Sequence, residues 1–417
     1  MDAPWFLRPV PAFAVMQLGP LLLWLVIPSD VFRMSLRGAE RAPVTLAGLM
    51  AFGLLVAGFA AGAWAGARLP VSSGASKART TRPIVLAAHY AAMALMLFST
   101  AAVLMIVVGS GLNVLAIVLA SQANQFTNEV YESSAGAQAL IMGRHLVLSS
   151  LITWFVLGVW RKPRPLLSVP LILVAAATLY LFTSSRLTIE SVLLIAMLFW
   201  FTPRPGAPKT SPLLGRLGQA AVVLVLLVVF AGGVWLRSVT SWARLSSTAS
   251  GLLLAPLYEA VAYVVSPVNY SLAFVADGVA FVRGLGLDNF FFVVYTVLNL
   301  PQDISFRQLI TWNYNPLLNQ IGLVGEWFTI AGPLLWIPAA AYGLLAGALY
   351  ERFRRRTIAG LLLYPLVLVS LGDTMRGFLL PQNVVASNLL YLGVVLLAIS
   401  LARVPFRPAP AEVTHAA

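Results

Sequence analysis

Ten apolar runs punctuate the chain, at about 10–28, 44–67, 84–108, 137–159, 166–183, 187–202, 217–235, 326–349, 358–372 and 385–402. A helix needs about 20 residues to cross a hydrocarbon core of ~30 Å, and most of these runs are that long. The pattern predicts an all-α polytopic integral membrane protein with about ten transmembrane helices. An additional hairpin of spans at 250–282 would raise the count to twelve and leave the sidedness unchanged.

The polar positions between the runs are sorted by charge. With the N-terminus inside and the spans alternating, seventeen of the 27 Lys and Arg fall inside, with only three of the 14 Asp and Glu: Asp2, Glu351 and Glu412. The outer ends then hold the remaining ten basic and eleven acidic residues, so the whole net charge of +13 lies on the inner side. Positive-inside sorting demands this arrangement. It predicts N- and C-termini in the cytoplasm and puts the less ordinary residues on the outer face.

Composition narrows the class. Hydrophobic residues make up 60% and charged residues 10%, which excludes an ordinary soluble domain. The basic residues lie in short loops and form no continuous surface, so nucleic acid is not an expected partner. Arg352, Arg354, Arg355 and Arg356 read as a stop signal at a helix end, in reach of anionic lipid. The chain has no cysteine and three scattered histidines, which leaves no basis for disulfides, a redox centre or zinc. No cofactor and no metal are expected. The first run lacks a small-x-small exit and reads as a span, not a cleaved leader.

Loops 68–83, 160–165, 203–216 and 351–357 are short connectors without room for a catalytic domain. Residues 109–136 carry no Lys or Arg and read as a half-buried helix with a polar loop. Residues 237–325 are too long for a connector. Their apolar pieces, at 251–267, 270–282 and 290–298, are interrupted by Pro256, Pro267, Gly284, Gly286 and Pro301. They read as interfacial or re-entrant helices covering a cavity. The expected organisation is a bundle over 1–236, a large outer loop over 237–325, a second bundle over 326–403, and a tail over 404–417.

Four places could carry chemistry. Thr183, Ser184, Ser185 and Arg186 form a nearly absent turn between two spans, with Glu190 four residues on and on the same helical face. Hydroxyls, guanidinium and free helix-start amides suit an anion, while an interface arginine paired with its own Glu is the plainer alternative. Arg376 sits in the Gly-rich turn Gly372–Gly377 with Asp373. Arg237 and Arg244 lie seven residues apart beside Trp235 and Trp242, as a head-group stripe or as interface anchors. The fourth place runs from Trp312 through Asn313, Tyr314, Asn315, Pro316, Asn319, Gln320, Gly322 and Gly325 to Glu326. Rings stack on pyranose faces and amides bind hydroxyls, although an interface belt has the same composition. Glu326, at the start of the eighth run, is a helix-capping acid or a base. His89 reads as a helix-packing group, and Arg144, beside His145, would join the outer cations.

The layout and two motifs resemble the bacterial O-antigen and oligosaccharide repeat-unit polymerases (Wzy-type), relatives of the O-antigen ligases. One motif is Asn315-Pro316-x-x-Asn319-x-x-Gly322-x-x-Gly325-Glu326-x-x-x-x-x-Gly332, and the other is Asp373-x-x-Arg376-Gly377. The resemblance implies a GT-C-like architecture and a glycosyltransferase of the bacterial inner membrane. Donor and acceptor would both be oligosaccharides on undecaprenyl diphosphate, and a regulator of chain length would be a further partner. Arg186, Arg376, Arg244 and Ser185 would hold the diphosphate, and Trp312, Tyr314, Asn315 and Asn319 the sugar. Glu326, Asp373 and Glu190 would be the candidate bases in a metal-independent inversion. The ligases are expected to have a histidine in the large loop, and 237–325 has none. Arg283 and Arg307 stay unassigned.

A ligase, a glycolipid transporter or flippase, and a non-catalytic scaffold are the competing readings. A through-path would need mid-span charges, which are scarce, and a scaffold would not need arginines in two tight turns. Reporter fusions at residues 186 and 376 should both register the outer side, and a cytosolic signal from either would invert the scheme.

Overall fold

The computed structural model describes residues 4–36, 40–71, 78–109, 143–159, 165–183, 186–202, 249–281, 321–378 and 383–402, with a few isolated positions between them. The elements are helical: α1 (Pro9–Val26), α2 (Ser29–Ser35), α3 (Leu46–Ala67), α4 (Ala78–Gly109), α5 (Val147–Val159) and α6 (Ser168–Thr183). They continue with α7 (Arg186–Phe201), α8 (Ala249–Ala276), α9 (Gly322–Ala331), α10 (Trp336–Arg354), α11 (Ile358–Gly372) and α12 (Asn383–Leu401). Among the described residues, five helices are long and apolar enough to cross a membrane, or six if α9 and α10 count as one bent span. The molecule is a helical membrane protein. The seventh apolar run, 217–235, lies outside the described residues.

Two expectations are corrected. The segment expected as short pieces broken at Pro256 and Pro267 is instead, over Ala249–Ala276, one helix of 28 residues. Proline is tolerated inside such helices because neighbouring elements satisfy the carbonyls it frees. The run at 326–349, expected as one span opening at Glu326, is two helices bent by 116°. Gly332, at φ 57°, ends α9, and Pro333 follows. A left-handed residue followed by proline cannot continue a right-handed helix.

The tightest seam joins α3 to α10, which run parallel. Gly58 faces Trp336, Gly62 faces Ala340 and Gly66 faces Leu344, with Gly343 and Gly347 returning the contact against Phe59 and Ala63. Glycines four residues apart line one side of a helix and let two backbones touch, so dispersion and close packing replace the absent hydrophobic drive. Phe13 stacks on Phe59 at 3.9 Å between ring centroids and carries α1 onto the seam.

Buried polar bonds fix the remaining helices. His89 faces Ser168 Oγ at 2.8 Å and Thr153 Oγ1 at 3.1 Å, joining α4, α5 and α6 as the packing group it was expected to be. Asn388 accepts from Ser149 N–H at 2.7 Å and donates to His145 O at 2.7 Å. Trp24 Nε1 and Ala42 N–H donate to Asn269 Oδ1 at 3.1 and 2.8 Å, which hooks α8 to the loop after α2. Arg41 caps α1 by donating to Trp24 O and Ile27 O at 3.0 and 2.7 Å.

These contacts define two ends. At one, Tyr364 donates to Leu7 O at 2.6 Å, and Phe199 meets Phe353 at 6.0 Å. That end carries Arg8, Arg68, Arg352, Arg354, Arg355 and Arg356, with Glu351 paired to Arg354 and Arg355. The opposite end carries Asp30, Glu40, Glu190, Glu326 and Asp373 alongside Arg33, Arg41 and Arg376. Among the described residues the arginine-rich end and the acidic end are therefore opposite one another.

A Cβ at Gly62 would overlap Ala340 O, whereas Gly53 on the same helix has nothing within 4 Å. Gly62→Leu should destabilise the detergent-solubilised protein by about 1–3 kcal/mol in thermal unfolding, the usual cost of overpacking. Gly53→Ala should be neutral or slightly stabilising, by up to ~1 kcal/mol.

Candidate functional site

Helix α11 ends at Gly372, and the chain turns through Asp373–Phe378 before α12. Its last turn is tightened by Asp373 N–H to Ser370 O at 3.4 Å and Thr374 N–H to Leu371 O at 3.4 Å. Arg376 N–H then donates to Asp373 O at 2.9 Å, which folds the turn back on itself. Arg376 Nη1 reaches Asp373 Oδ2 at 3.3 Å. The pair is unequal: the Asp373 side chain is 6% exposed and that of Arg376 is 22% exposed. Burial pushes the Asp373 carboxyl up from the ordinary aspartate range, and the guanidinium beside it pulls it back.

Two further elements close on Arg376. Tyr263, half-buried on α8, lays its ring under the guanidinium, with Cζ 4.3 Å from the centroid. Helix α7 packs against the end of α11, with Leu194 against Gly372. One turn earlier on α7, half-buried Glu190 lies close enough for its charge to act on Arg376. The Arg376 guanidinium is thus held by a paired carboxylate, a second nearby carboxylate and a ring face.

Helix α9 supports the same turn from beneath. Phe378 N–H donates to Glu326 Oε2 at 2.7 Å, and Leu323 N–H donates to Thr374 O at 3.3 Å. Phe378 is held between Trp327 and Tyr342, at 5.2 and 5.0 Å between centroids. Ser271 on α8 donates to Ile321 O and accepts from Gly325 N–H at 3.0 Å. Glu326 is therefore not the opening residue of a span, as its place in the apolar run suggested. It is the fifth residue of α9 and is 6% exposed.

Arg376, Asp373, Glu190 and Glu326, four of the expected site residues, thus meet at one end of the bundle. The turn before Arg186 is as short as expected, because α6 ends at Thr183 and α7 begins at Arg186. The Arg186 side chain lies outside the described residues, as do Ser185, Arg244, Trp312, Tyr314, Asn315 and Asn319. Sequence reasoning passed over Tyr263, Ser271 and Phe378. Tyr263 sits in the stretch read as fragments, and only a continuous α8 would have aimed attention at it. Among the described residues no group of three or more His, Cys, Asp or Glu is arranged for a metal ion.

Comparison with protein-family models, curated proteins and solved structures finds no match for the chain.

Tyr263→Leu removes the ring from beneath Arg376 and should cost about 0.5–2 kcal/mol in thermal unfolding. Tyr263→Phe keeps a ring face and should cost less. Equal losses from the two would mean that the ring does not carry the contact.

Proposed function

We propose that this chain is a membrane glycosyltransferase. It would polymerise undecaprenyl-diphosphate-linked oligosaccharide repeat units at the outer face of the bacterial inner membrane, with both termini in the cytoplasm. The observation that carries the reading is the convergence of Arg376, Asp373, Tyr263 and Glu190 at the end of the bundle opposite the arginine-rich end. Positive-inside sorting makes the arginine-rich end cytoplasmic, so the convergent cluster faces outward.

The chemistry suits such a cluster. The acceptor sugar hydroxyl attacks the anomeric carbon of the donor, the carbon–oxygen bond to the diphosphate breaks, and the lipid diphosphate leaves. Charge grows on the departing phosphate oxygen, and a guanidinium already fixed beside it stabilises that charge without reorganising. Arg376 is the described residue in that role. Arg186 would stand beside it, because its helix begins one turn before Glu190. The hydroxyl proton passes to a carboxylate within hydrogen-bond reach. Glu190, Asp373 and Glu326 are the candidate carboxylates, of which Asp373 is paired with Arg376 and Glu326 accepts the Phe378 N–H. Trp312, Tyr314, Asn315 and Asn319 remain the sugar-binding candidates, and Ser185 and Arg244 the further diphosphate contacts.

Arg376→Ala should reduce polymer formation by about 10²–10³-fold, the usual cost of removing one electrostatic stabiliser of a leaving group. Glycan gels of cells carrying the variant should show single units and few long chains. Full-length polymer would refute the proposal. Loss of attachment to the anchor would indicate a ligase, and absence of any outer-leaflet unit a flippase.

A further inference from the structure

Glu326 is buried, and its neighbour Trp327 and its bonding partner Phe378 meet Tyr342 in one ring cluster. A carboxylate in such surroundings is costly to keep unless it is bonded, and a base must touch its substrate. Glu326 Oε2 instead accepts the Phe378 N–H at 2.7 Å. Gly377 adopts φ 152°, a region that side chains avoid, and a Cβ there would stand 3.1 Å from Glu326 Oε2. A side chain at 377 would therefore press on the Glu326 carboxylate.

Helix α9 touches the turn on both sides of Arg376. Before it, Leu323 N–H meets Thr374 O at 3.3 Å, and Gly322 lies so close that a Cβ would stand 2.9 Å from Met375 O. After it, Glu326 holds Phe378. We propose that Glu326 is a positioning residue: through the Phe378 amide it locks the 373–378 turn so that Arg376 points at the lipid diphosphate. This rests on the glycosyltransferase reading and replaces the base role that the sequence suggested for Glu326. It also gives α9 a task. The helix follows directly in sequence on Trp312, Tyr314, Asn315 and Asn319, so the proposed sugar contacts and the proposed diphosphate contact are joined through one short element.

The test uses the full-length protein in nanodiscs, with farnesyl diphosphate as the probe. Glu326→Ala should weaken diphosphate binding about tenfold, as expected for losing one hydrogen bond to a charged group. Glu326→Gln keeps an oxygen acceptor for the Phe378 N–H and should restore most of the affinity. In an Arg376→Ala background, Glu326→Ala should add no further loss, because the two act as one unit. Gly377→Ala, which displaces the same turn from its other side, should weaken binding by a similar factor.

An equal loss from Glu326→Ala with and without Arg376 would overturn the proposal, because the residue would then act through the fold. So would loss of turnover in Glu326→Gln with diphosphate affinity intact, which would make it the base. Unchanged affinity in Gly377→Ala would overturn it as well. Unchanged affinity in Arg376→Ala alone would instead refute the diphosphate reading itself.

Discussion

A peptide group in hydrocarbon must find a partner within the protein, and a helix that stops inside the bilayer leaves several groups without one. This chain interrupts a helix at Gly332, where α9 bends by 116° from α10. The opposite, amide end of α9 is held by α8 and by the turn after α11. Ser271 bonds Ile321 O and Gly325 N–H, Thr374 O receives Leu323 N–H, and the Glu326 carboxylate is met by Phe378 N–H. Two of these partners, Thr374 and Phe378, belong to the turn around Arg376. In this protein the anchoring of a short helix and the shaping of the candidate site's turn share the same bonds.

The rest of the bundle gives these bonds a rigid frame. The glycine seam fixes α10 against α3, and Phe13 and Tyr342 continue the packing towards Phe378. Asn269 ties α8 to the loop after α2, so the helix carrying Tyr263 has its own anchor. The arginine-rich end is held by Glu351 and by the Tyr364–Leu7 bond, remote from Arg376. Charge asymmetry and packing asymmetry therefore coincide. One end is a capped, cationic boundary, and at the other Asp373 and Glu190 gather around Arg376.

Much of this was legible in the sequence because the signals are local. Eight of the ten apolar runs each overlap one described helix, a ninth is split into two, and the two-residue link before Arg186 could be read from the abrupt return of polar residues. Asp373 and Arg376 are three residues apart, so their pairing could be read directly. What escaped depends on long-range contact. The fate of Pro256 and Pro267 is decided by neighbours, and proline alone argued for breaks that the packed helix does not show. The run from 326 to 349 is uniformly apolar, so hydropathy could not reveal a bend set by φ at Gly332. Glu326 looked like a capping acid because its partner, the Phe378 amide, lies 52 residues away. Tyr263 is apolar in pattern and matters only through the cation that folding brings above it.

The central claim is that the Arg376 turn, with α7 and α8 beside it, receives a lipid diphosphate at the acidic end of the bundle. The most direct measurement is photo-labelling of the protein in native membranes with a photoreactive prenyl diphosphate, followed by peptide mapping. The account predicts labelled peptides covering 186–194 and 372–378, with the label displaced by unlabelled prenyl diphosphate. Labelling confined to the Arg352–Arg356 end, or to lipid-facing positions such as Val15 and Leu22, would contradict it.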